Sequence, residues 1–533
     1  MKTLFLIFAL ATNLTFGAIK AFVPENGVYF VNSSNLATAF GVSEPQISTW
    51  LSNKEIRVSN LGQPIPTSYS SNSLSFFGKK YESLFSGLNA YFFTHENGLP
   101  IPSITNTFPH HSIITVETNK NCLADFIYNA SEDPWFGNSI SLAGTFTKTN
   151  ISTYKAPNIL SNDYFNLFLF SPSPSSNKIL VNINGANVFT GMVFGTGRTN
   201  FSFSLLSLPP LSNNTVKISV ISGHIVSTYI DKYEVSYWRA PTSYPTQNLT
   251  LISYPSENLK AQTNSCDYLV IAPTNLLSSG QELIDYRKTN GLSGKVVSLQ
   301  DIYDNFNYGI SDPRAIRSFL GLALTRWQIA PRYVVLLGHG SLDYKGYLSG
   351  DCVIPSAQSI SPVAGSSGPS AGLTASDNYL TDVNSDGVAD VAIGRMPIRD
   401  GLDFTNMFNK IKTFESGGNW LTNSLFTTGA EVGVFHFIEE SEYQTSTVTN
   451  INHFKNYLDQ IGINLTRTNI VQKLNEGVGL FAYLGEGNNN SLFGGLQIVF
   501  RDSEISTLLT NKSNPNLMIA MACLVSDISA PSW

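Results

Sequence analysis

Short runs of β-branched and aromatic residues, separated by turn-forming residues, dominate the chain from residue 22 to residue 250. Runs of this length between clusters of Pro, Ser and Gly are typical of antiparallel β-sandwiches. One stretch, Asn35–Leu51, has helical spacing instead and predicts a short helical cap. The predicted strands include Val28–Val31, Leu74–Phe77, Ile113–Val116, Phe165–Phe170, Lys178–Ile183 and Thr215–Ile221.

We place a break in this region near Lys155–Asp163. It predicts one β-rich unit over residues 22–160 and a sandwich-like unit over residues 161–255. The adjacent pair His110-His111 points to opposite faces of a strand, so the two rings cannot hold one metal ion. No other spacing in the region is typical of a catalytic or metal site, and we expect no chemistry there.

From about residue 265 onward, strands alternate with amphipathic stretches. A first helix is predicted to open at the capping-box pattern Ser279-Gly-Gln-Glu282. Asp312 predicts the cap of a second helix, with Pro313 at its first position. This order predicts right-handed crossovers and a parallel sheet over residues 265–420. The predicted strands are Tyr268–Ile271, Lys295–Leu299, Tyr333–Leu337 and Val388–Ile393, and a third helix runs from Asp400 to Glu415.

The same alternation starts again after residue 420 and predicts a second α/β unit over residues 421–533. Two of its apolar runs end at polar loops, as buried parallel strands do. The predicted elements are a strand at Leu425–Thr428, a helical stretch to Leu458, and strands at Thr466–Val471, Gly479–Leu484 and Leu517–Ala522.

The N-terminus has the features of a signal peptide over residues 1–21: a basic Lys2, an apolar run at Leu4–Ala11, and small residues before residue 22. Charged residues make up only 13% of the 533 residues, which favours a secreted or cell-surface protein. The net charge of −6 gives no reason to expect a nucleic-acid partner. No later apolar run is long enough for a transmembrane segment in the mature chain. The four cysteines (Cys122, Cys266, Cys352 and Cys523) have no metal-binding spacing, and at most one disulfide is expected.

One long passage has a family resemblance. The run Tyr333–Leu337 continues as Gly338-His-Gly-Ser-Leu-Asp-Tyr-Lys345, then an acidic loop, and ends on Ile393-Gly-Arg395. This passage resembles the gingipain-type cysteine peptidase family. The resemblance implies a β-rich region ahead of a caspase-like α/β domain of two parallel-sheet subdomains, with the chemistry in the second. Family members continue beyond the position of Trp533, so we expect the second subdomain to be truncated.

The resemblance also implies the site. In the family, a cysteine ends one strand and the histidine of a Gly-His-Gly ends its neighbour. Cys523 matches the cysteine, and the alternative is a buried core cysteine. At the histidine position this chain has Gly485-Glu486-Gly487, so a carboxylate replaces the imidazole. The backbone N–H groups of Gly487 and Cys523 are the expected oxyanion donors.

Glu486 is a poor base for a thiol. From reference pKa values, proton transfer from a thiol to a carboxylate is uphill by about four units, or about 5–6 kcal/mol, against about 3 kcal/mol for transfer to an imidazole. A nearby anion also raises the pKa of a thiol. His339, in Gly338-His-Gly340, belongs to the first subdomain, and we expect it to lie several strands away from Cys523. His436 and His453 are expected to be structural.

The acidic loop has oxygen-bearing residues at alternate positions, with Gly387 at the turn. This pattern predicts a structural calcium ion at the first half of an EF-hand-like loop, although the glutamate expected at the twelfth position is absent. The alternative is an Asx-rich turn without a metal. Asp377 is a further candidate ligand, and Arg395 is expected to anchor the loop by an ion pair. The four predicted ligands are Asp382, Asn384, Asp386 and Asp390.

Two functions remain open from the sequence. The first is an exported cysteine-type endopeptidase that cleaves polypeptide substrates without a catalytic cofactor. The second is a catalytically inactive peptidase-like module that binds surface ligands, since Glu486 stands where the histidine is expected.

Overall fold

A computed structural model describes residues 18–101, 110–117, 121–122, 135–137, 139–143, 146–157, 159–223, 227–239, 246–341, 343–347, 354–355, 358–360, 373–523 and 525. The β-rich region up to residue 254 contains two helices, α1 (Ser33–Phe40) and α2 (Glu44–Asn53). Its strands are β1 Ala18–Val23, β2 Gly27–Asn32, β3 Ile56–Asn60, β4 Gln63–Pro64, β5 Pro66–Ser70, β6 Ser73–Gly78, β7 Asn89–His95, β8 Leu99–Pro100, β9 His110–Glu117, β10 Asn121–Cys122, β11 Trp135–Phe136, β12 Ser139–Ala143, β13 Phe146–Lys155, β14 Ile159–Ile183, β15 Ala186–Ser204, β16 Asn213–Ser222, β17 Thr228–Arg239, β18 Thr246–Asn248 and β19 Ile252–Tyr254.

The α/β region follows, with two series of elements. The first series is β20 Tyr268–Ala272, α3 Leu277–Thr289, β21 Gly294–Ser298, α4 Leu299–Phe306, α5 Pro313–Arg326, β22 Tyr333–Leu337, β23 Gln358–Ile360, β24 Leu373–Ala375, α6 Asn378–Thr381, β25 Ala392–Met396 and α7 Gly401–Glu415. The second series is β26 Asn423–Thr428, α8 Phe437–Thr447, β27 Asn452–Tyr457, α9 Leu458–Ile461, α10 Ile463–Glu476, β28 Leu480–Leu484, β29 Glu486–Asn488, β30 Ser491–Gly494, β31 Gln497–Arg501, α11 Asp502–Leu508 and β32 Leu517–Met521.

The first β-rich unit, here called the N-terminal sandwich, has two five-stranded sheets. Their strand orders are β19-β1-β7-β3-β4 and β18-β2-β6-β5-β8. Apolar side chains from both sheets share one core, and α1 and α2 cover it with Leu36, Ile47 and Leu51. The predicted helical cap at Asn35–Leu51 is confirmed, as two helices joined at Gly41, whose φ of +67° allows the chain to reverse direction.

The second β-rich unit is one sheet of seven strands, formed by residues that lie between β8 and β18 in the chain. The long strand β14 hydrogen-bonds β17 with its first half and β16 with its second half, which closes the sheet into a barrel. The predicted boundary between residues 160 and 161 is wrong, because both residues belong to β14, a strand of this barrel. The strands on either side of this boundary, β13 and β14, both pair with β16 and so belong to one sheet.

Strand β1 overlaps the predicted signal peptide over residues 1–21. Residues 1–17 lie outside the described part of the chain, whereas Ala18–Val23 pairs with β7 and β19 in the sandwich. Ala21 is fully buried there. The predicted signal peptide thus shares residues 18–21 with a strand of the sandwich, and its cleavage stays a prediction.

Two parallel four-stranded sheets organise the α/β region, in the orders β21-β20-β22-β25 and β27-β26-β28-β32. The first sheet packs on α4 and α5 with one face and on α3 and α7 with the other. The predicted mixed fold, a β-rich region followed by α/β units, is confirmed. None of the described helices has the length and apolar character required to cross a membrane.

The cap of α5 is confirmed at Asp312, whose side chain accepts the N–H of Arg314 at 2.8 Å. The predicted start of α3 is wrong. That helix begins at Leu277 after a 3₁₀ turn, so Ser279 is buried inside it and does not cap it. The strand predicted at Val388–Ile393 lies four residues further on, as β25, because the acidic loop occupies the intervening residues.

The order of elements after β26 also differs from the prediction. The helical stretch ends with α8, and the residues before Leu458 form strand β27. The strand predicted at Thr466–Val471 is part of helix α10. Its buried residues Thr466, Ile470 and Leu474 recur every fourth position, which is a helical spacing that the β-branched composition concealed.

We expect Asp312→Ala to lower the free energy of unfolding by about 1–2 kcal/mol, since it removes a helix cap and the partner of Arg314. Asp312→Asn retains a capping oxygen and should lose less. Chemical denaturation of the two variants tests this, with Asp285→Asn, at an exposed position on α3, as the control. Equal loss in Asp312→Ala and the control would contradict it.

Candidate active site

The candidate site lies at the carboxyl edge of the second parallel sheet. Strands β28 and β32 are neighbours there, with Leu484 opposite Met521. Beyond this pair, the N–H of Gly485 donates to the carbonyl of Met521 at 3.2 Å. The segments that follow the two strands, with Glu486 on one and Cys523 on the other, therefore leave the sheet side by side.

Gly487 packs directly against the turn that carries Cys523. A Cβ atom on Gly487 would lie 2.5 Å from Cγ2 of Val525, 3.0 Å from the carbonyl oxygen of Cys523 and 3.1 Å from Cβ of Ala522. A side chain at residue 487 would therefore push the turn away. The structure thus brings two of the residues predicted for the site, Gly487 and Cys523, into contact.

The two described cysteines whose side chains can be compared differ in environment. Cys266 is buried, and burial raises the pKa of its thiol to about 12, so it stays protonated and unreactive at neutral pH. Cys523 is a free thiol and is exposed at the end of β32. The alternative of a buried core cysteine therefore does not hold for Cys523.

Glu486 is half-buried at the start of β29, opposite Phe493 of β30. Beneath it, the buried Tyr483 donates its hydroxyl to the carbonyl of Phe493 and lies 3.2 Å from the carbonyl of Glu486. Burial and the nearby Glu486 charge raise the pKa of Tyr483, which therefore remains a neutral donor. Among the described residues, no cation forms a salt bridge with the Glu486 carboxylate. Residue 486, where the family resemblance implies the base, is therefore a glutamate whose backbone is held by pairing with β30.

His339, and the two histidines expected to be structural, His436 and His453, do not lie on the segments that follow β28 and β32. His339 follows β22 in the first sheet and is buried, and its backbone N–H donates to the carbonyl of Ile398. His453 is on β27, where its ring contacts Ser424 at 2.7 Å and the carbonyl of Val448 at 2.5 Å. His436 precedes α8 and lies 3.3 Å from Glu431. No residue in the described part of the chain hydrogen-bonds the Cys523 thiol.

The family-like passage after β22 forms a buried scaffold at the carboxyl edge of the first sheet. Ser341 and Asp343 are buried, and the side chain of each accepts a backbone N–H two or four residues further on. The side chain of Arg395 donates to the backbone carbonyls of Gly338 and Ile354, at 2.9 Å each. It also pairs with Asp377 at 2.7 Å, which is the ion pair expected for Arg395.

The four predicted calcium ligands share one loop. The amide nitrogen of Asn384 lies 3.2 Å from both Asp386 and Asp390. The carboxylates of Asp382, Asp386 and Asp390 each accept at least one backbone N–H of the loop, as in an Asx-rich turn. In the described residues, no set of three or more His, Cys, Asp or Glu side chains is arranged to hold a metal ion. The loop therefore gathers the oxygen donors, and calcium binding stays a prediction.

Residues 261–532, about half of the chain, match the model of peptidase family C25, and the chain belongs to this family of gingipain-type cysteine peptidases. No curated protein matches it. Among solved structures, it is similar to dimeric latent PorU from Porphyromonas gingivalis, with 15% identity and a TM-score of 0.53, over 75% of this chain and 50% of that one. This likeness concerns the fold, and the chain spans about half of the PorU chain.

Two further solved structures are similar over about half of this chain. The complex of the pro- and mature domains of RgpB from Porphyromonas gingivalis has 20% identity and a TM-score of 0.37, over 48% of this chain and 55% of that one. The Arg-specific cysteine proteinase gingipain R has 18% identity and a TM-score of 0.38, over 50% of this chain and 56% of that one.

Gly487→Ala should lower the free energy of unfolding by about 1–3 kcal/mol and displace the Cys523 turn, because the new Cβ overlaps Val525. Gly394→Ala is the matched control, since a Cβ there meets nothing within 4 Å. Denaturation and the rate at which a thiol reagent labels Cys523 measure the two effects. Identical behaviour of the two variants would argue against the contact.

Proposed function

We propose that this chain is an exported cysteine-type endopeptidase that hydrolyses polypeptides, with Cys523 as its nucleophile. The observation that carries the proposal is the placement of a free, exposed thiol at the tip of β32 against the backbone of Gly487, in a member of peptidase family C25. In this proposal, the two parallel sheets correspond to the two subdomains of a caspase-like domain, and the second sheet carries the chemistry.

The chemistry requires few groups. The Cys523 thiolate attacks the peptide carbonyl, a carbon–sulfur bond forms, and the carbonyl electron pair moves to the oxygen. In this proposal, the N–H groups of Gly487 and Cys523 donate to that oxyanion. Collapse of the intermediate breaks the carbon–nitrogen bond, and the leaving amine takes up a proton. Water then hydrolyses the thioester, which releases the second product and restores the thiol.

Glu486 limits this sequence of steps. A carboxylate at the histidine position is a weaker base for the thiol than an imidazole and, when ionised, carries no proton for the leaving amine. The penalty relative to an imidazole is about 2–3 kcal/mol in the initial proton transfer alone, from reference pKa values. We therefore expect slow turnover compared with a peptidase that has a histidine at residue 486.

The same residue favours a second function from a different class. If Glu486 abolishes activity, the chain is a peptidase-like binding module that keeps the family fold and engages polypeptides or surface ligands without cleaving them. Two observations favour this second function: the carboxylate at the histidine position and the absence, among the described residues, of a hydrogen-bond partner for the Cys523 thiol.

An irreversible peptide probe that alkylates active-site cysteines distinguishes the two functions. The endopeptidase proposal predicts labelling of Cys523 in the wild type and none in Cys523→Ala. Glu486→His should raise the labelling rate at neutral pH by about 10-fold or more, because the imidazole is the stronger base. Glu486→Gln is the control, since it removes the charge without supplying a base. No labelling in the wild type or in Glu486→His would leave the binding module as the function.

We also propose that Asp382, Asn384, Asp386 and Asp390 hold a structural calcium ion once the chain is outside the cell. Calcium should raise the Tm, because an ion that binds only the folded state stabilises it. Asp386→Asn should abolish this increase, and Asp285→Asn, on α3, should retain it. Thermal unfolding with a chelator, with calcium and with magnesium measures the effect. A Tm that calcium does not change would identify the loop as an Asx-rich turn.

A further inference from the structure

A buried ion pair joins the N-terminal sandwich to the first α/β sheet. Nζ of Lys20, on β1, lies 2.8 Å from Oδ1 of Asp304, on α4, and the two side chains are only 1% and 5% exposed. Three aromatic rings surround the ammonium group, with centroids 5.0–5.9 Å from Nζ: Phe22, Phe92 and Tyr254. The pair is therefore removed from water on the sandwich side.

Close packing seals the interface next to the pair. A Cβ on Gly309, just after α4, would lie 2.9 Å from the ring of Phe92 and 3.1 Å from Cβ of Ala90. A Cβ on Gly62 would lie 2.8 Å from the ring of Tyr308. Both glycines allow the two units to approach closely, so solvent does not reach Lys20 and Asp304 from this side.

The cluster contains two carboxylates for one ammonium group. Asp301 lies one helical turn before Asp304 on α4 and is 5% exposed. Oδ1 of Asp301 and Oδ2 of Asp304 are buried, and neither has a hydrogen-bond partner among the described residues. An ionised buried oxygen without a donor is strongly disfavoured. With all three groups ionised, the cluster would carry one uncompensated negative charge.

The other charged and titratable groups around the cluster are already paired or are not acidic. Gln300 donates to Oδ1 of Asp304 at 3.1 Å. Glu257, at the rim, forms a salt bridge with Lys295 at 2.8 Å and adds further negative charge near Asp301. From the sandwich, the phenol of Tyr254 faces Lys20. A proton is the smallest group that cancels the excess charge.

We propose that the docked N-terminal sandwich takes up one proton, shared by Asp301 and Asp304 opposite Lys20, so that docking is tighter in mild acid and looser at neutral pH. The device is a proton-linked interface between two parts of this chain, and it does not depend on peptidase activity. A polypeptide that passes from an acidic to a neutral medium would therefore loosen its sandwich from the α/β region.

The direction follows from linkage. Burial raises the pKa of Asp301 and of Asp304. Hydrogen bonds from Ser256 and the backbone of Glu257, and then the charge of Lys20, only partly offset this for Asp301, and Lys20 only partly offsets it for Asp304. The docked state thus keeps a proton at a pH where the separated, solvated carboxyls have lost it. Docking free energy is present in full below the ordinary Asp pKa and is lost as the pH rises through the raised value. Burial lowers the pKa of Lys20, which acts in the opposite sense and only at the alkaline end.

Hydrogen exchange of the full-length chain tests the proposal. Protection of the peptides that cover β1 and α4, corrected for intrinsic rates, should fall between about pH 4.5 and about pH 7.5, by about tenfold for each unit that the shared pKa is raised. Asp301→Asn is neutral at both pH values, so its protection should depend much less on pH and should exceed that of the wild type at the higher pH. Asp285→Asn, on the exposed face of α3, should behave as the wild type.

Protection that is unchanged or rises with pH would overturn the proposal, as would an Asp301→Asn variant that keeps the pH dependence of the wild type. Lys20→Met provides a second variant if Asp301→Asn does not fold. It leaves two carboxylates with no cation, so its protection should fall more steeply with pH than that of the wild type. An equal or shallower fall in Lys20→Met would also count against the shared proton.

Discussion

The parallel pairing of β28 with β32 is the constraint on which the candidate site depends. Because Leu484 stands opposite Met521, the segments after the two strands leave the sheet at the same level. A shift of this register by one residue would move the two strand ends out of level and separate the segments that follow them. The backbone of Gly487 and the turn that carries Cys523 are therefore neighbours because of strand register, although many residues separate them in the chain.

The two carboxyl edges of the α/β region have different characters. At the first, the buried side chains of Ser341 and Asp343 accept backbone N–H groups, and Arg395 donates to backbone carbonyls, so the loop after β22 is tied to the sheet. At the second, the segments after the two strands carry an exposed thiol, Cys523, and a half-buried carboxylate, Glu486, that has no cation partner among the described residues. The motif that most clearly carries the family resemblance thus lies at the edge of the first sheet, and the residues proposed for catalysis lie at the edge of the second.

Charge is sparse in this chain, so each buried ionisable group has a large effect on its surroundings. Asp301 and Asp304 are two such groups, at the interface with the N-terminal sandwich. The free energy of a buried carboxylate depends on its partners, and those partners come from distant parts of the chain.

Local pattern was sufficient for the features that are encoded within a few residues. The apolar runs of β22, β28 and β32, the cap at Asp312 and the replacement of histidine by Glu486 are all readable from the printed sequence. The order β27–α10 was not, because β-branched residues in α10 concealed its helical spacing. Only the tertiary structure showed that the barrel is inserted between two strands of the sandwich, that Cys523 is exposed, and that Lys20 meets Asp304. Strand register, burial and ion pairing join residues far apart in the chain, and periodicity within a short window contains no information about them.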